Sequence, residues 1–349
     1  MYTPMHGVGL PFMQEALKLL QLEGHMRVVA KQALPDPEFS TVPFPNPEEK
    51  GALDLAKAEG LREGCNLILA NDPDADRFAA AELLTDGTWH QFTGNEMGIL
   101  LASYALDTYI GRRDKIAMLA STVSSRMLAT VASGEGFRFQ ETLTGFKWLG
   151  NIAQDLTKEG YNVLFAYEEA IGYMFPSVVW DKDGIAAATV FLLACMKWKT
   201  AGLTPWQRLQ QLYEKYGYFE NANTYLVSTS PAVTNAVFTD IRESNDGSRP
   251  LNVGDREILR WRDLTLGYDT ANADGKPDLP VDASAQMLTC ELQDVVFTAR
   301  GSGTEPKIKL YIEARGSTTA EAKTRANAAL DDLLKEWFKP EYGLKLAGT

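Results

Sequence analysis

The chain has 349 residues, of which 45% are hydrophobic and 23% are charged, as is typical of a globular protein that buries several cores. Its net charge of −12 disfavours nucleic acid and anionic membranes as partners, because both bind basic surfaces. No apolar run reaches the ~18–20 residues of a membrane span, and the first residues do not resemble a signal peptide. Cys65, Cys195 and Cys290 are few and scattered, so we expect free thiols and a cytoplasmic location.

We predict a first α/β domain over residues 1–112, because strand and helix signals alternate along it. Residues Met1–Pro4 read as the end of a strand, so this domain is expected to be incomplete at its N-terminus. The turn Thr85–Thr88 predicts a hairpin. The other predicted strands are Met26–Ala30, Leu67–Ala70, Arg77–Leu84 and Trp89–Phe92, and the predicted helices are Pro11–Leu22, Glu48–Glu59 and Asn95–Tyr109.

A second α/β domain is predicted over residues 113–218, where the same alternation repeats. We expect mixed, mostly parallel sheets in both domains, with the functional loops at the strand ends. The predicted strands are Lys115–Ala120, Phe137–Thr142 and Val163–Ala166, and the predicted helices are Ser124–Ser133, Gly145–Glu159, Gly184–Thr200 and Pro205–Tyr216.

A third domain is predicted over residues 219–349, where the pattern changes to that of an α+β fold. Its strands Val295–Ala299 and Lys307–Ala314 should form an antiparallel hairpin around a glycine-rich loop. The other predicted elements are the strands Tyr218–Val227 and Gln286–Leu292 and the helices Ala232–Glu243 and Thr319–Trp337.

The segment Asp72–Arg77, with the sequence DPDADR, is the most informative in the chain. Its aspartates alternate directly after a predicted buried strand, so the three carboxylates can point toward one position. Such a cluster repels itself unless a cation is bound, and oxygen ligands suit Mg²⁺. Arg77 follows with a planar guanidinium that can contact a phosphate. A metal beside an arginine indicates phosphoryl transfer.

Other interpretations of this segment are weaker. Aspartate-rich turns are often solvated loops without a ligand. An EF-hand requires Gly at its sixth position and Glu at its twelfth, where this chain has Arg77 and Leu83. A phosphatase with Asp72 as its nucleophile would leave two further loops unexplained.

Those two loops also follow or join predicted strands. Tyr167–Tyr173 contains Glu168, and Arg300–Pro306 contains two glycines, two hydroxyls and a leading arginine. Small residues let backbone N–H groups approach an anion, which predicts a phosphate-binding loop at Arg300. Lys147 stands at a predicted helix start, where the dipole disfavours a cation, so we predict a ligand role for it over that of an exposed lysine.

Together these motifs resemble the α-D-phosphohexomutase superfamily, whose loops appear here in the same order. The segments Tyr2–Gly9, Thr144–Lys147 and Glu168–Tyr173 look like the phosphoglucomutase-2 or phosphopentomutase (phosphoribomutase) branch. The resemblance spans nearly the whole chain and implies domains 2–4 of a four-domain architecture. It also implies a Mg²⁺-dependent isomerase of carbohydrate metabolism that transfers a phosphoryl group within its substrate.

By this resemblance, each loop takes a separate role. The metal ligands would be Asp72, Asp74 and Asp76, and Arg77 would contact the reacting phosphoryl group. Glu168 would contact sugar hydroxyls, and Lys147 would also contact substrate. The distal phosphate would be bound by Arg300, Ser302, Gly303 and Thr304, with Lys309 nearby.

Two departures from the family pattern are visible. Ala170 stands where many relatives have Ser, which removes one sugar contact. More importantly, the family carries its phosphoryl group on a serine in a TASHNP-like loop, and His6, His25 and His90 do not follow a serine. The stretch Ser121–Ser125 fits a strand-to-helix turn with an N-cap better than a nucleophile loop. The expectation is therefore a chain without its phosphoserine domain that is inactive alone.

The resemblance thus implies a phosphosugar mutase that interconverts a sugar 1-phosphate and the 6- or 5-phosphate through a bisphosphate. The alternative is a non-catalytic module that binds sugar phosphates. The expected partners are the phosphosugar and either the N-terminal domain or a second copy that covers an apolar docking surface. The choice between pentose and hexose is left open.

Overall fold

The computed structural model describes residues 1–302 and 305–347, and it divides into two compact units. The first unit is Met1–Leu212, and the second begins at Tyr213. The predicted domains 1–112 and 113–218 each supply one sheet of the first unit, and the division into three domains stays a prediction. In the described residues no single helix is long and apolar enough to span a membrane. The helices α6 (Gly184–Thr200) and α7 (Pro205–Tyr216) meet the length and apolarity criteria only when taken together, and they are bent by 81° relative to each other.

The first sheet has the strand order β1-β2-β3-β4. Only β1 and β2 are parallel, whereas β3 pairs antiparallel with both β2 and β4. The sheet is therefore mixed but mostly antiparallel, not mostly parallel as predicted, because the aspartate loop turns the chain back from β2 into β3 and the predicted hairpin turns it back again into β4. The strands are Tyr2–Thr3 (β1), Leu67–Asn71 (β2), Phe78–Leu83 (β3) and Trp89–Gln91 (β4), and the helices are Gly9–Leu19 (α1), Asp54–Arg62 (α2) and Gly94–Thr108 (α3).

Two further predictions for this part of the chain, one strand and one helix start, are wrong. The strand predicted at Met26–Ala30 is reduced to a single bridge between Val28 and Tyr2, and the chain then enters a 3₁₀ turn at Ala30–Gln32. The helix predicted from Glu48 begins only at Asp54, because the preceding segment forms successive turns after three closely spaced prolines.

The second sheet has the order β6-β5-β7-β8, and β5 is parallel to both neighbours. It is mixed and mostly parallel, as predicted, since only β8 pairs antiparallel. The strands are Ile116–Ser121 (β5), Arg138–Thr142 (β6), Asn162–Glu168 (β7) and Gly172–Met174 (β8), and the helices, besides α6 and α7, are Met127–Glu135 (α4) and Phe146–Lys158 (α5). The carboxyl ends of β5, β6 and β7 therefore meet at one edge.

The second unit contains an eight-stranded antiparallel sheet covered by α9, as the α+β pattern predicts. The predicted strand Tyr218–Val227 is split, because the Asn223 side chain accepts the Ile312 N–H and the two halves pair with different parts of β17. The strands are Tyr218–Asn221 (β9), Thr224–Val227 (β10), Asn252–Val253 (β11), Arg256–Glu257 (β12), Arg260–Asp263 (β13), Tyr268–Asp269 (β14), Met287–Glu291 (β15), Val295–Gly301 (β16), Lys307–Gly316 (β17) and Lys345–Leu346 (β18), and the helices are Pro231–Glu243 (α8) and Thr319–Glu336 (α9).

A buried ion pair fixes one edge of this sheet. Asp269 is fully buried and accepts hydrogen bonds from Arg260 Nε at 3.0 Å and Nη2 at 2.7 Å, and from the Ala271 N–H at 2.9 Å. Burial alone raises the pKa of Asp269, but the Arg260 and Ala271 hydrogen bonds outweigh it and the pKa lies below its ordinary value. The carboxylate therefore contributes stability above the pKa of the unfolded chain (~3.9), and this stability is lost as the pH falls through the folded pKa.

We predict that Asp269→Asn lowers the free energy of unfolding of the second unit by about 1–3 kcal/mol at pH 7, because it removes the buried carboxylate from Arg260, which keeps its pair with Glu291 at 2.9 Å. At about pH 3 the loss should shrink, because Asp269 of the unfolded chain (pKa ~3.9) is then largely protonated and the stability linked to its ionisation is reduced. Urea unfolding at both pH values measures the difference. Asp278→Asn is the matched control, because Asp278 is exposed. If Asp269→Asn lowered the free energy of unfolding equally at both pH values, this account would be contradicted.

Candidate functional site

The loop after β2 gathers the three predicted metal ligands. One carboxylate oxygen from each of Asp72, Asp74 and Asp76 lies within 4.8 Å of the others. Asp72 is buried, Asp76 is partly exposed and Asp74 is exposed, so the cluster opens to solvent on one side. Ala75 closes the turn with a left-handed φ of 60° and donates its N–H to the Asp72 carbonyl at 2.9 Å.

Close backbone contacts hold this loop in place. The Val8 N–H donates to the Pro73 carbonyl at 2.8 Å, and the Gly184 N–H donates to the Ala75 carbonyl at 3.1 Å. A Cβ at Gly184 would overlap the Arg77 carbonyl and the Asn71 amide. The starts of α1 and α6 are thus packed directly against the loop, which leaves the aspartates little freedom to move apart.

Two cations balance the carboxylates in part. Arg77 Nε lies 2.6 Å from Asp72 Oδ2 and 3.7 Å from Asp76 Oδ1, and Lys182 Nζ lies 2.7 Å from Asp76 Oδ2. Burial lowers the pKa of the Lys182 ammonium, but the hydrogen bond and the charge of Asp76 outweigh this effect. The pKa therefore lies above its ordinary value, and Lys182 stays charged.

The donor set fits a hard divalent cation. Burial, the largest cause, raises the pKa of Asp72 to about 6 although Arg77 opposes this. Within the described ranges, the buried oxygens Asp72 Oδ2 and Asp76 Oδ1 receive no hydrogen bond, even though Arg77 lies at ion-pair distance. Buried polar atoms normally have a hydrogen-bond partner. Two buried carboxylate oxygens without one, both in the aspartate cluster, are what a site for Mg²⁺ would provide.

The predicted sugar-contacting residue Glu168 ends β7 at the edge of the second sheet. Its Oε1 accepts the Gly145 N–H at 2.6 Å, and Gly145 adopts a φ of 107° directly before α5. Lys147 lies exposed in the first turn of α5, with its Nζ 5.6 Å from the centre of the Trp148 ring. The structure therefore places Glu168 and the start of the Lys147 helix side by side.

The aspartate loop and the turn after Glu168 are neighbours within the first unit. The Phe78 N–H, directly after the aspartate loop, donates to the Ile171 carbonyl at 3.1 Å, and Arg77 bridges to Gly172. A Cβ at Gly94, where α3 begins, would overlap the Glu169 carbonyl oxygen. The metal loop and the Glu168 turn are therefore joined by backbone contacts across two sheets.

A polar network that the sequence did not predict joins Glu169 to two serines, one at the end of β5 and one just after it. Glu169 Oε2 accepts from Ser121 Oγ at 3.1 Å and from Ser124 Oγ at 3.2 Å, and the Glu169 N–H donates to Ser124 Oγ at 3.0 Å. The predicted strand-to-helix turn is confirmed between β5 and α4, and Ser125 Oγ accepts the Met127 N–H at 3.1 Å. The predicted N-cap within Ser121–Ser125 is wrong, because the N-cap residue of α4 is Arg126 and it makes no side-chain capping hydrogen bond. The available signal was the position of these serines and Glu169 at the ends of adjacent parallel strands.

The predicted phosphate loop lies in the second unit, between β16 and β17. Arg300 and Lys309 stand directly opposite each other in the antiparallel pair, so both side chains project from the same face. The Ser302 N–H donates to the Lys307 carbonyl at 2.8 Å, and Lys307 Nζ pairs with Glu305 at 2.8 Å. Gly303 and Thr304 lie outside the described residues.

Comparison with known proteins agrees with this fold. Two family models match: phosphoglucomutase/phosphomannomutase alpha/beta/alpha domain II over residues 1–84, and domain III of the same family over residues 93–216. The chain is similar to phosphoribomutase from Saccharomyces cerevisiae, at 45% identity over 97% of this chain and 58% of the relative. Phosphopentomutase from Homo sapiens is 41% identical over 97% of this chain and 58% of the relative.

A solved phosphoglucomutase, pp63/parafusin from Paramecium in its open form, has the same fold. It matches with a TM-score of 0.64 and 19% identity over 95% of this chain and 57% of that chain. The chain belongs to the α-D-phosphohexomutase superfamily. Within it, the chain falls in the phosphoribomutase and phosphopentomutase branch, and it spans 58% of the length of these two relatives.

We predict that Gly94→Ala destabilises the protein by about 1–3 kcal/mol or more, because the added Cβ must displace the Glu169 carbonyl and with it the Glu168 turn. Thermal unfolding monitored by circular dichroism measures the effect. Gly24→Ala is the control, since within the described chain no heavy atom lies within 4 Å of a Cβ placed there. Equal melting temperatures for the two variants would contradict the proposed tight contact.

Proposed function

We propose that this chain forms the metal- and sugar-phosphate-binding part of a Mg²⁺-dependent phosphosugar mutase that acts on a pentose phosphate. The observation that carries the proposal is the aspartate cluster beside the Glu168 turn, in which two buried carboxylate oxygens accept no hydrogen bond within the described residues. The pentose is favoured because the two relatives named above are a phosphoribomutase and a phosphopentomutase.

In this proposal Asp72, Asp74 and Asp76 hold the cation, which would stabilise negative charge on the oxygens of the transferred phosphoryl group. Arg77 presents its guanidinium to the same phosphoryl group. Its side chain is 35% exposed, so it reaches the open side of the cluster while Nε contacts Asp72. The short Arg77–Asp72 contact fixes the direction of the guanidinium.

The sugar and its second phosphate would be bound by the other two loops. Glu168 would accept hydrogen bonds from sugar hydroxyls, and the Gly145 N–H that it accepts keeps its carboxylate oriented. Lys147 would contact the substrate from the first turn of α5. The distal phosphate would be bound by Arg300, Ser302, Gly303, Thr304 and Lys309.

A mutase of this kind returns the product through a sugar bisphosphate, which would bind in either orientation. Such a cycle needs a residue that carries the phosphoryl group, and none of the three histidines of this chain follows a serine as in the family's loop. We therefore propose that these 349 residues bind sugar phosphates but do not turn them over alone. The same observation favours the second candidate, a non-catalytic sugar-phosphate-binding module. A cytoplasmic location, and pairing with an N-terminal domain or a second copy, stay predictions.

We predict that the purified chain gives no turnover in a coupled mutase assay with Mg²⁺ and glucose 1,6-bisphosphate, with either ribose 1-phosphate or glucose 1-phosphate as substrate. The chain should still bind Mn²⁺, measured by electron paramagnetic resonance of the free ion, and Asp74→Ala should weaken this binding by at least tenfold. Asp155→Ala, which removes an exposed carboxylate from α5, is the control for net charge.

Turnover that Asp74→Ala abolishes would contradict the proposal that the chain lacks a phosphoryl carrier. Absence of Mn²⁺ binding by the wild-type chain would contradict the metal site itself.

A further inference from the structure

The turn Met5–Gly7 has an unusual backbone, although it contributes no side chain to the proposed metal and sugar sites. Met5 and His6 both adopt the left-handed region, with φ values of 47° and 61°. Residues other than glycine visit this region singly and at a cost in free energy. Two in succession therefore persist only where the surrounding structure holds them, and such backbone is found most often at binding and catalytic sites.

Buried contacts hold both residues of the turn in this conformation. Met5 is fully buried and donates its N–H to Thr3 Oγ1 at 3.0 Å. His6 is 5% exposed, and its N–H donates to the Gln32 carbonyl at 3.0 Å. Its Nε2 lies 2.8 Å from Thr41 Oγ1, and Gln32 Nε2 donates to the same oxygen at 2.9 Å. The imidazole ring thus joins the turn to the segment that carries Thr41.

The turn places its glycine directly against the aspartate loop. A Cβ at Gly7 would lie 2.1 Å from the Pro73 carbonyl oxygen and 2.2 Å from Pro73 Cα, so the two backbones are in contact. Val8 donates its N–H to the same carbonyl at 2.8 Å. Pro73 stands between the proposed ligands Asp72 and Asp74. Because a peptide unit is planar, contacts that fix the Pro73 carbonyl also fix the backbone on which Asp74 stands.

We propose that His6 is a positioning residue of the metal site, because its buried ring holds the left-handed turn that orients the peptide between Pro73 and Asp74. This inference rests on the proposed function. His6 acts through Gly7 and Val8 and touches neither the cation nor the substrate. A loosened turn should leave the fold intact but let Asp74 move away from the other two carboxylates, which weakens cation binding.

Asp74 is the ligand that depends most on this backbone support. Asp72 is buried and lies 2.6 Å from Arg77, and Asp76 lies 2.7 Å from Lys182, so both carboxylates are directed by ion pairs. Asp74 is exposed to solvent. Its place in the cluster is therefore set chiefly by the conformation of the loop beneath it.

The test combines two measurements on the 349-residue chain. The dissociation constant of Mn²⁺ is measured by electron paramagnetic resonance, and hydrogen exchange of the Val8 amide is measured by nuclear magnetic resonance without metal. The variants are His6→Leu and Thr41→Val. Thr41 is exposed, so Thr41→Val removes the hydroxyl beside His6 Nε2 with little change of shape and should fold even if His6→Leu does not.

Leu156→Ala is the matched control for stability. Leu156 is 2% exposed and belongs to the hydrophobic core that packs on the second sheet, away from the turn. Its truncation lowers the melting temperature by creating a cavity, but it should leave the Mn²⁺ affinity of the folded protein and the exchange of Val8 at their wild-type values.

We expect His6→Leu to weaken Mn²⁺ binding about 10-fold, as is usual when a residue that orients a metal ligand is replaced. Thr41→Val, which loses a single neutral hydrogen-bonding group beside the ring, should weaken it about 3-fold. Both variants should exchange the Val8 amide faster than wild type, since its hydrogen bond to the Pro73 carbonyl is then less firmly held.

Wild-type Mn²⁺ affinity in the folded variants would make the turn a purely structural feature and overturn the inference, as would an equal loss of affinity in Leu156→Ala. Failure of the proposed function would look different, as a wild-type chain that does not bind Mn²⁺ or as binding that Asp74→Ala leaves intact. The exchange of Val8 is measured without metal, so it still reports in that case whether His6 fixes the aspartate loop, and unchanged exchange in both variants would overturn the inference.

Discussion

The repulsion among three carboxylates within 4.8 Å of one another is the constraint on which the first unit depends. Asp72 is fully buried, and burial raises its pKa to about 6, so the cluster is costly as it stands. The fold keeps it in place with backbone hydrogen bonds from the starts of α1 and α6, and with ion pairs to Arg77 and Lys182. A cation that binds only this arrangement would stabilise the folded protein by mass action.

Backbone segments approach one another closely around the aspartate loop. Gly184 and Gly94 stand where α6 and α3 begin, and any side chain there would overlap a carbonyl of the aspartate loop or of the Glu168 turn. The hydrogen bond from Phe78 to Ile171 then joins the two turns although they belong to different sheets. In the second unit, the antiparallel pairing of β16 with β17 places Arg300 opposite Lys309.

Much of this architecture is encoded in local sequence patterns. Helices α6 and α7 match their predicted bounds, because Asp183 caps the first and Pro205 opens the second. The aspartates gather as predicted because their spacing and the preceding strand are local features. Met26–Ala30 failed as a strand because its apolar pattern is too short to outweigh the turn that follows. Lys182, and the contacts of Glu169 with Ser121 and Ser124, were missed because only the packing of distant segments brings these residues to the site.

We propose that Asp72, Asp74 and Asp76 together form the metal site of a sugar-phosphate-binding scaffold. The most direct test is a crystal structure with Mn²⁺ and glucose 1,6-bisphosphate, in which anomalous scattering locates the ion. We predict one strong peak about 2.0–2.2 Å from an oxygen of each aspartate, with a phosphate oxygen completing the coordination. A peak elsewhere, or an aspartate cluster still paired only with Arg77 and Lys182 at saturating Mn²⁺, would contradict the claim.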